Sequence, residues 1–384
     1  MNIRRVKTLI VKEWREIVRD RVFLLLAFGM PTAWMLVFGY GMNMDTVNVP
    51  VALLDQDHSA MSREYANHYI DSRYFSFKGQ LTDMHEADRL LEAGKLRVVI
   101  VIPPRFQEDL VSGRSIAIQT ILDGTFAYRV RGIAGYVDAI NRDANSALQA
   151  RQLGERLGIP PARAQAMVQP IHIETRYLYN QALRSIWSVA PSLIMFTMMV
   201  APAVLTSLAV VREKETGAIY NIYASTVTRA EYLLGKLLPN VMISVVNLIL
   251  LWLIVTLHFG APFKGDIWFF FAASVAYVFC TCSIGFLVST LVRTQGSALL
   301  ITVILAIVPA VQFSGMFTPV AFLPPGSRLL AHFFPPMYYN NIVQGAFLKG
   351  IGWTVLWTDV LILMLYAAGL LAASYMAFRK RTPS

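Results

Sequence analysis

Few residues of this 384-residue chain stand at spacings that could carry chemistry. Ser185 and Ser188 have no His or Asp placed to make either a nucleophile. His58, His68, His85 and His172 are scattered, and Asp55 with Asp57 resembles a metal pair only weakly, a turn at a strand end being the simpler role. Cys280 and Cys282 lie two apart in an apolar run and fit neither a disulfide framework nor a complete metal site. Gly235-Lys236 comes nearest to a phosphate-binding loop, but Leu237 follows the lysine and Ala230 stands where the first glycine belongs. These residues predict no catalytic site, no metal and no cofactor held by this chain.

The residues that stand out predict a contact element instead. Arg212, Glu213, Lys214, Glu215, Thr216 and Gly217, continuing through Ile219, Tyr220 and Tyr223 to Gly235-Lys236, form a polar interruption between two apolar runs. The stretch has room for a short helix and is longer than a plain connector needs. One reading is a surface on which something outside the membrane pushes on the spans. The other is a basic loop that merely fixes topology.

The elements that must position this stretch are membrane spans. Hydrophobic residues make up 55% of the chain, and several runs exceed the roughly 18–20 apolar residues that cross a bilayer. The net charge of +10 does not point to nucleic acid, because of where it lies. Between Met42 and Ile186 there are 16 Lys and Arg against 16 Asp and Glu, whereas the remaining 18 basic and 8 acidic residues flank the apolar runs. That is the pattern of the positive-inside rule.

Residues 1–21 read as an interfacial amphipathic helix, with Ile3, Val6, Ile10, Trp14 and Ile17 at helical spacing and basic residues on the other faces. Too many charges precede the apolar core for a signal peptide. The first span is expected at residues 22–42. Residues 43–185 then form an α/β extracytoplasmic domain, with strands at Val47–Leu54, Val98–Ile102, Ile116–Leu122 and Ile171–Tyr177 and helices at Ser59–Ile70, Asp83–Glu92 and Phe126–Leu157. The apolar stripe of the long helix is expected to pack within that domain or on a partner. Five more spans are expected in residues 186–384, near Ile186–Val211, Leu237–Phe259, Ile267–Val292, Ser297–Phe317 and Val355–Phe378, leaving a loop at 212–236. Six spans place both termini on one side, cytoplasmic by charge, with the Arg379-Lys380-Arg381 tail among the basic flanks. Residues 318–352 are too apolar for a solvated loop and too broken by proline for a span. They read as a re-entrant outer hairpin whose gate-forming residues would include Phe317, Pro319, Phe322, Pro335, Tyr338 and Tyr339. The fold class is thus an α-helical polytopic membrane protein of six transmembrane helices plus a re-entrant hairpin, with an α/β extracytoplasmic domain.

These pieces together carry a resemblance. Val51–Ser59, Val101-Ile102-Pro103-Pro104-Arg105-Phe106 and Leu122-Asp123-Gly124 match in the insert. Arg212–Gly217 and Leu234-Gly235-Lys236-Leu237-Leu238-Pro239 match in the loop, and Ser314–Pro319 and Pro335-Pro336-Met337-Tyr338-Tyr339 match near the end. In this order, over almost the whole chain, the sequence resembles the permease subunits of ABC type-2 exporters, in the subgroup with a large insert between the first two spans. Ala218-Ile219-Tyr220-Asn221 departs from the acidic, Leu-rich coupling helix more usual there.

The resemblance implies a bacterial inner-membrane permease that expels hydrophobic or amphiphilic cargo, drug-like or lipid-like. A separate cytoplasmic ABC ATPase would bind the ATP and Mg, docking on the 212–236 loop. It implies a second permease copy or paralogue, contact with membrane lipid, and an exit side suited to a periplasmic adaptor and outer-membrane channel. It implies no nucleic acid. Two competing readings are an extracytoplasmic ligand sensor and an ion-coupled carrier. The first lacks a cytoplasmic signalling domain. The second lacks midplane ionisable groups, since Asp359 is the only charged residue inside the spans as drawn.

Overall fold

The computed structural model describes residues 2–42, 48–125, 127–169, 176 and 178–378. The tail at 379–381, the strand expected at Ile171–Tyr177 and residues Val47, Phe126 and His172 lie outside the described residues. In chain order the helices are α1 (Ile3–Arg19), α2 (Arg21–Gly41), α3 (Ala60–Ile70), α4 (Met84–Glu92), α5 (Phe106–Val111), α6 (Ala127–Leu157), α7 (Pro161–Val168), α8 (Ile186–Glu215), α9 (Ile219–Ala224), α10 (Arg229–His258), α11 (Ile267–Leu291), α12 (Gln295–Gln312), α13 (Pro325–Ala331), α14 (Pro335–Gln344) and α15 (Trp353–Ala377). The strands are β1 (Val49–Asp55), β2 (Phe75–Gln80), β3 (Val98–Ile102) and β4 (Gln119–Leu122). The chain divides into two compact units, Met44–Arg176 and the rest.

The inserted unit is a four-stranded sheet in the order β2-β1-β3-β4, parallel except for the β3–β4 pair. All five residues of β3 are buried, as expected of a central parallel strand covered on both faces. Alternate residues feed separate cores. Val51, Leu53, Val98 and Ile100 meet Tyr65, Tyr69, Ile133 and Val137 from α3 and α6, while Ala52, Leu54, Val99 and Val101 meet Ala87 and Leu96 on the opposite face. The long helix therefore packs within its own unit. Asp55 accepts from the Asp57 and His58 amides and from the Ser62 hydroxyl, and Ser59 caps α3, so the acidic pair serves a strand-to-helix turn. Thr125 and then Arg97 hold the Asp123 carboxyl down at about 2. β2, α5 and α7 have no counterpart in the sequence reading.

Among the described residues of the other unit six helices, α2, α8, α10, α11, α12 and α15, are long and apolar enough to cross a membrane. α8 is the most enclosed of them and packs against α2, α10, α11, α12 and α14. Its 30 residues give a rod of about 45 Å. Gly285 on α11 lies against the backbone of Ala203, so the two helices approach where no Cβ intervenes. Two expected boundaries move. α8 runs one turn past Val211 to Glu215, and α10 starts at Arg229 rather than Leu237 because Thr228 and Glu231 form a capping box. The expected 212–236 loop shrinks to residues 216–228, with α9 inside it. α12 stops at Gln312, and residues 318–352 resolve into a 3₁₀ turn at Val320–Phe322, the exposed α13, the buried α14 and a π turn at Gly345–Lys349.

Candidate functional site

The amphipathic α1 is clamped along α10. Its first turn is capped by the Asn2 side chain, and the Asn2 amide donates to Glu231 Oε1 at 2.6 Å. Arg5 reaches the Thr226 carbonyl at 2.8 Å. Further along, Gly235 lets the helices touch: a Cβ there would sit 2.6 Å from Leu9 Cβ. The buried face of α1 carries a charge, Glu13, which is only 4% exposed. Such burial is tolerable only with a partner. Lys236 on α10 bonds to Glu13 and stands 3.1 Å from Glu213 Oε1. Lys12 lies 3.0 Å from that same oxygen, and the Tyr232 hydroxyl donates to Glu213 Oε2 at 2.8 Å. Two lysines, two glutamates and a tyrosine thus form a bonded knot joining α1, α8 and α10, with Lys12 at its exposed rim also 3.5 Å from Glu16. Burial pushes the Glu13 carboxyl above its ordinary range, and Lys236 pulls it back in part.

The last turn of α8 distributes four consecutive side chains to four places. Arg212 bonds to Asp20 at the α1–α2 junction. Glu213 enters the knot. Lys214 donates to the carbonyls of Ser289, Thr290 and Val292, placing an ammonium at the C-terminal end of α11. Glu215 accepts from the backbone and side chain of Gln295, the first residue of α12. Thr216 folds its hydroxyl back onto the Arg212 carbonyl, and Gly217, at φ +73°, ends the helix in the left-handed region. All four of these charges make bonds within the unit; Glu213 is buried and Lys214 half-buried, whereas Arg212 and Glu215 also remain exposed.

After this turn comes α9, which presents an aromatic side chain to the surface. Ile219 is buried with Val210, Tyr232, Phe286 and Phe378, and Tyr223 packs beside Phe378. Tyr232 stacks on Phe378 at 5.0 Å between centroids. On this apolar seat Tyr220 stands 56% exposed, next to exposed Asn221.

The six residues expected at a gate fall into two settings. Phe317, Pro319 and Phe322 are exposed, whereas Pro335, Tyr338 and Tyr339 are buried on α14. Tyr339 stacks on Tyr277 of α11 at 4.0 Å and shares a hydrogen bond with Ser274. Asn340 accepts from Ser192 at 2.8 Å and donates to the Ser314 carbonyl, and Gln344 donates to Ser188 and Ser192 near the start of α8.

Sequence reasoning missed Lys12, Glu13, Tyr232, Asn340 and Gln344 as functional candidates. Two signals were available: a glutamate on the apolar stripe of α1, between Val6 and Ile17, and the T-x-x-E start of α10.

A family model described as "ABC-2 family transporter protein" matches residues 21–376. The chain is 30% identical over 380 residues to "Probable multidrug ABC transporter permease YbhS" of Escherichia coli (strain K12), covering 98% of this chain and 97% of that protein. It is 26% identical over 384 residues to "Inner membrane transport permease YhhJ" of the same organism, covering 99% and 98%. It is also 20% identical over 373 residues to "ABC transporter G family member 20" of Dictyostelium discoideum, covering 96% of this chain and 50% of that protein.

Proposed function

We propose that this chain, which belongs to the ABC-2 family of transporter proteins and is a multi-pass membrane subunit of an ABC transporter, is the permease of an inner-membrane exporter for hydrophobic or amphiphilic molecules. In this reading ATP and Mg are bound by a separate cytoplasmic ABC ATPase, α9 and both termini face that ATPase, and a second permease copy or paralogue completes the pathway. A periplasmic adaptor and outer-membrane channel would extend it on the exit side. The names of the bacterial relatives, which include a multidrug permease and an inner-membrane permease, support the substrate class and location.

The observation that carries the coupling step is the contrast between α9 and the turn before it. Each of Arg212–Glu215 bonds to another part of the same unit, so α8, α10, α11, α12 and α1 meet at one bonded junction. A push on α9 is then delivered to that junction, because Ile219 and Tyr223 seat α9 on its aromatic floor. Tyr220 is the projecting side chain that a partner can grip. An exposed aromatic of this kind is a common anchor at protein interfaces.

The test is co-purification of the chain with its ABC ATPase, with and without Tyr220→Ala. Weakening of about tenfold or more, with an unchanged melting temperature, is expected for an anchor tyrosine. ATPase retention that survives both Tyr220→Ala and replacement of residues 219–224 by Gly and Ser would overturn the coupling role.

A further inference from the structure

We propose that the groove between α1, the start of α2 and the end of α8 is a binding site for the head of an anionic phospholipid. The cavity holds about 690 Å³, within the range of ligand sites. Its floor is apolar, formed by Ile17, Phe23, Leu26, Leu208 and Ala209, and continues the cluster that α1 and α2 share with α8 and α10. Its walls bring in four carboxylates, and each lies beside a cation, with Lys12 shared between two of them. Glu13 and Glu213 meet Lys236 and Lys12, Glu16 lies 3.5 Å from Lys12, and Asp20 takes Arg212 together with the Val22 and Phe23 amides. Lys12 is shared by Glu16 and Glu213, so five cations face four carboxylates and one positive charge is in excess; Arg19 and Arg21 line the groove, are exposed, and have no ion-pair partner among the described residues.

The chemistry of an occupant follows. The residual field is positive and sits directly above an apolar floor at the point where the first span begins. A phosphodiester head with acyl chains satisfies both halves: two guanidiniums take the phosphate oxygens, and Phe23 and Leu26 flank the first carbons. A cationic or zwitterionic head would leave the excess charge unmet. The site depends on the chain lying in a membrane and is independent of how α9 meets an ATPase.

The experiment is native mass spectrometry of the purified chain titrated with phosphatidylglycerol, with phosphatidylcholine as the zwitterionic, net-neutral comparison. Wild type is expected to retain phosphatidylglycerol preferentially. Arg19→Gln/Arg21→Gln is expected to weaken that retention about tenfold or more, as removal of two basic groups beside an anionic lipid should. The control Arg4→Gln/Lys7→Gln removes two cations of α1 outside the groove and should change little; Arg19→Lys/Arg21→Lys should keep most of the binding. A melting curve shows whether each variant is folded. Three results would overturn the proposal: equal retention by Arg19→Gln/Arg21→Gln, an equal loss in the Arg4→Gln/Lys7→Gln control, or displacement of the lipid by inorganic phosphate.

Discussion

The two ends of α8 are fixed by different kinds of bond. At its C-terminal end all four side chains of Arg212–Glu215 are charged, and two of them, Arg212 and the buried Glu213, meet charged partners, Asp20 for the first and Lys12 with Lys236 for the second. Toward its N-terminal end, Ser188 and Ser192 meet Asn340 and Gln344 through neutral hydrogen bonds, beside the Tyr277–Tyr339 stack. The difference follows from cost. An unpaired charge away from water is far more expensive than an unpaired amide or hydroxyl, so a charged junction tolerates almost no change, whereas a neutral one can exchange partners at modest cost. The charged end is built to transmit force without slipping, and the neutral end can yield.

The largest expected effect tests the charged end. Lys236→Met strips Glu13 of its partner and leaves Glu213 to Lys12, which should cost about 3–5 kcal/mol of stability. Adding Glu13→Met should restore much of it. Thermal unfolding in detergent measures both variants, and a loss below about 1 kcal/mol would place the knot with ordinary surface pairs and remove the contrast. Next in size is Gly235→Ala. The added methyl meets Leu9, and overpacking of that kind costs about 1–3 kcal/mol. Because the nearest atom is the Leu9 Cβ, the partner change that removes the contact is Leu9→Gly; the double variant should lose less stability than the two single losses added together, and additive losses would mean that α1 is not seated at Gly235.

At the neutral end, Asn340→Leu leaves the Ser192 hydroxyl and Ser314 carbonyl without their bonds. The expected loss is about 1–2 kcal/mol, with partial recovery in Asn340→Leu/Ser192→Ala. A loss matching that of Lys236→Met would erase the distinction between the ends. The smallest effect is in pH. Because burial raises the Glu13 carboxyl above its ordinary 4.5, the folded chain binds this proton more tightly than the unfolded one. Its contribution to stability is therefore complete below 4.5 and is lost as pH rises through the raised value. Relative to Glu13→Gln, wild type should lose stability across that window, and only slightly, since Lys236 opposes the shift. Melting temperatures of the two proteins at matched pH between 4 and 7 check the sign.

What the sequence by itself determined is what repeats along the chain or stands within a few residues. Six apolar runs define six spans, the wholly apolar Val98–Ile102 defines a buried strand, and Ser59 marks the start of a helix. What only the tertiary structure decided is which polar groups pair. Lys12 and Glu213 are 201 residues apart, Glu13 and Lys236 are 223 apart, and Ser192 and Asn340 are 148 apart. Read along the chain, Arg212–Glu215 looks like a uniformly solvated run, yet Glu213 within it is buried, because nothing local distinguishes a charge that meets water from one that meets a distant partner. The same holds for Tyr220 and Tyr339, two tyrosines of which one is presented to solvent and the other sealed against Tyr277. Periodicity is a property of one segment. Burial of a polar group is a property of everything packed around it, and the assembled bundle alone supplies the desolvation that forces each buried charge to find its counterpart.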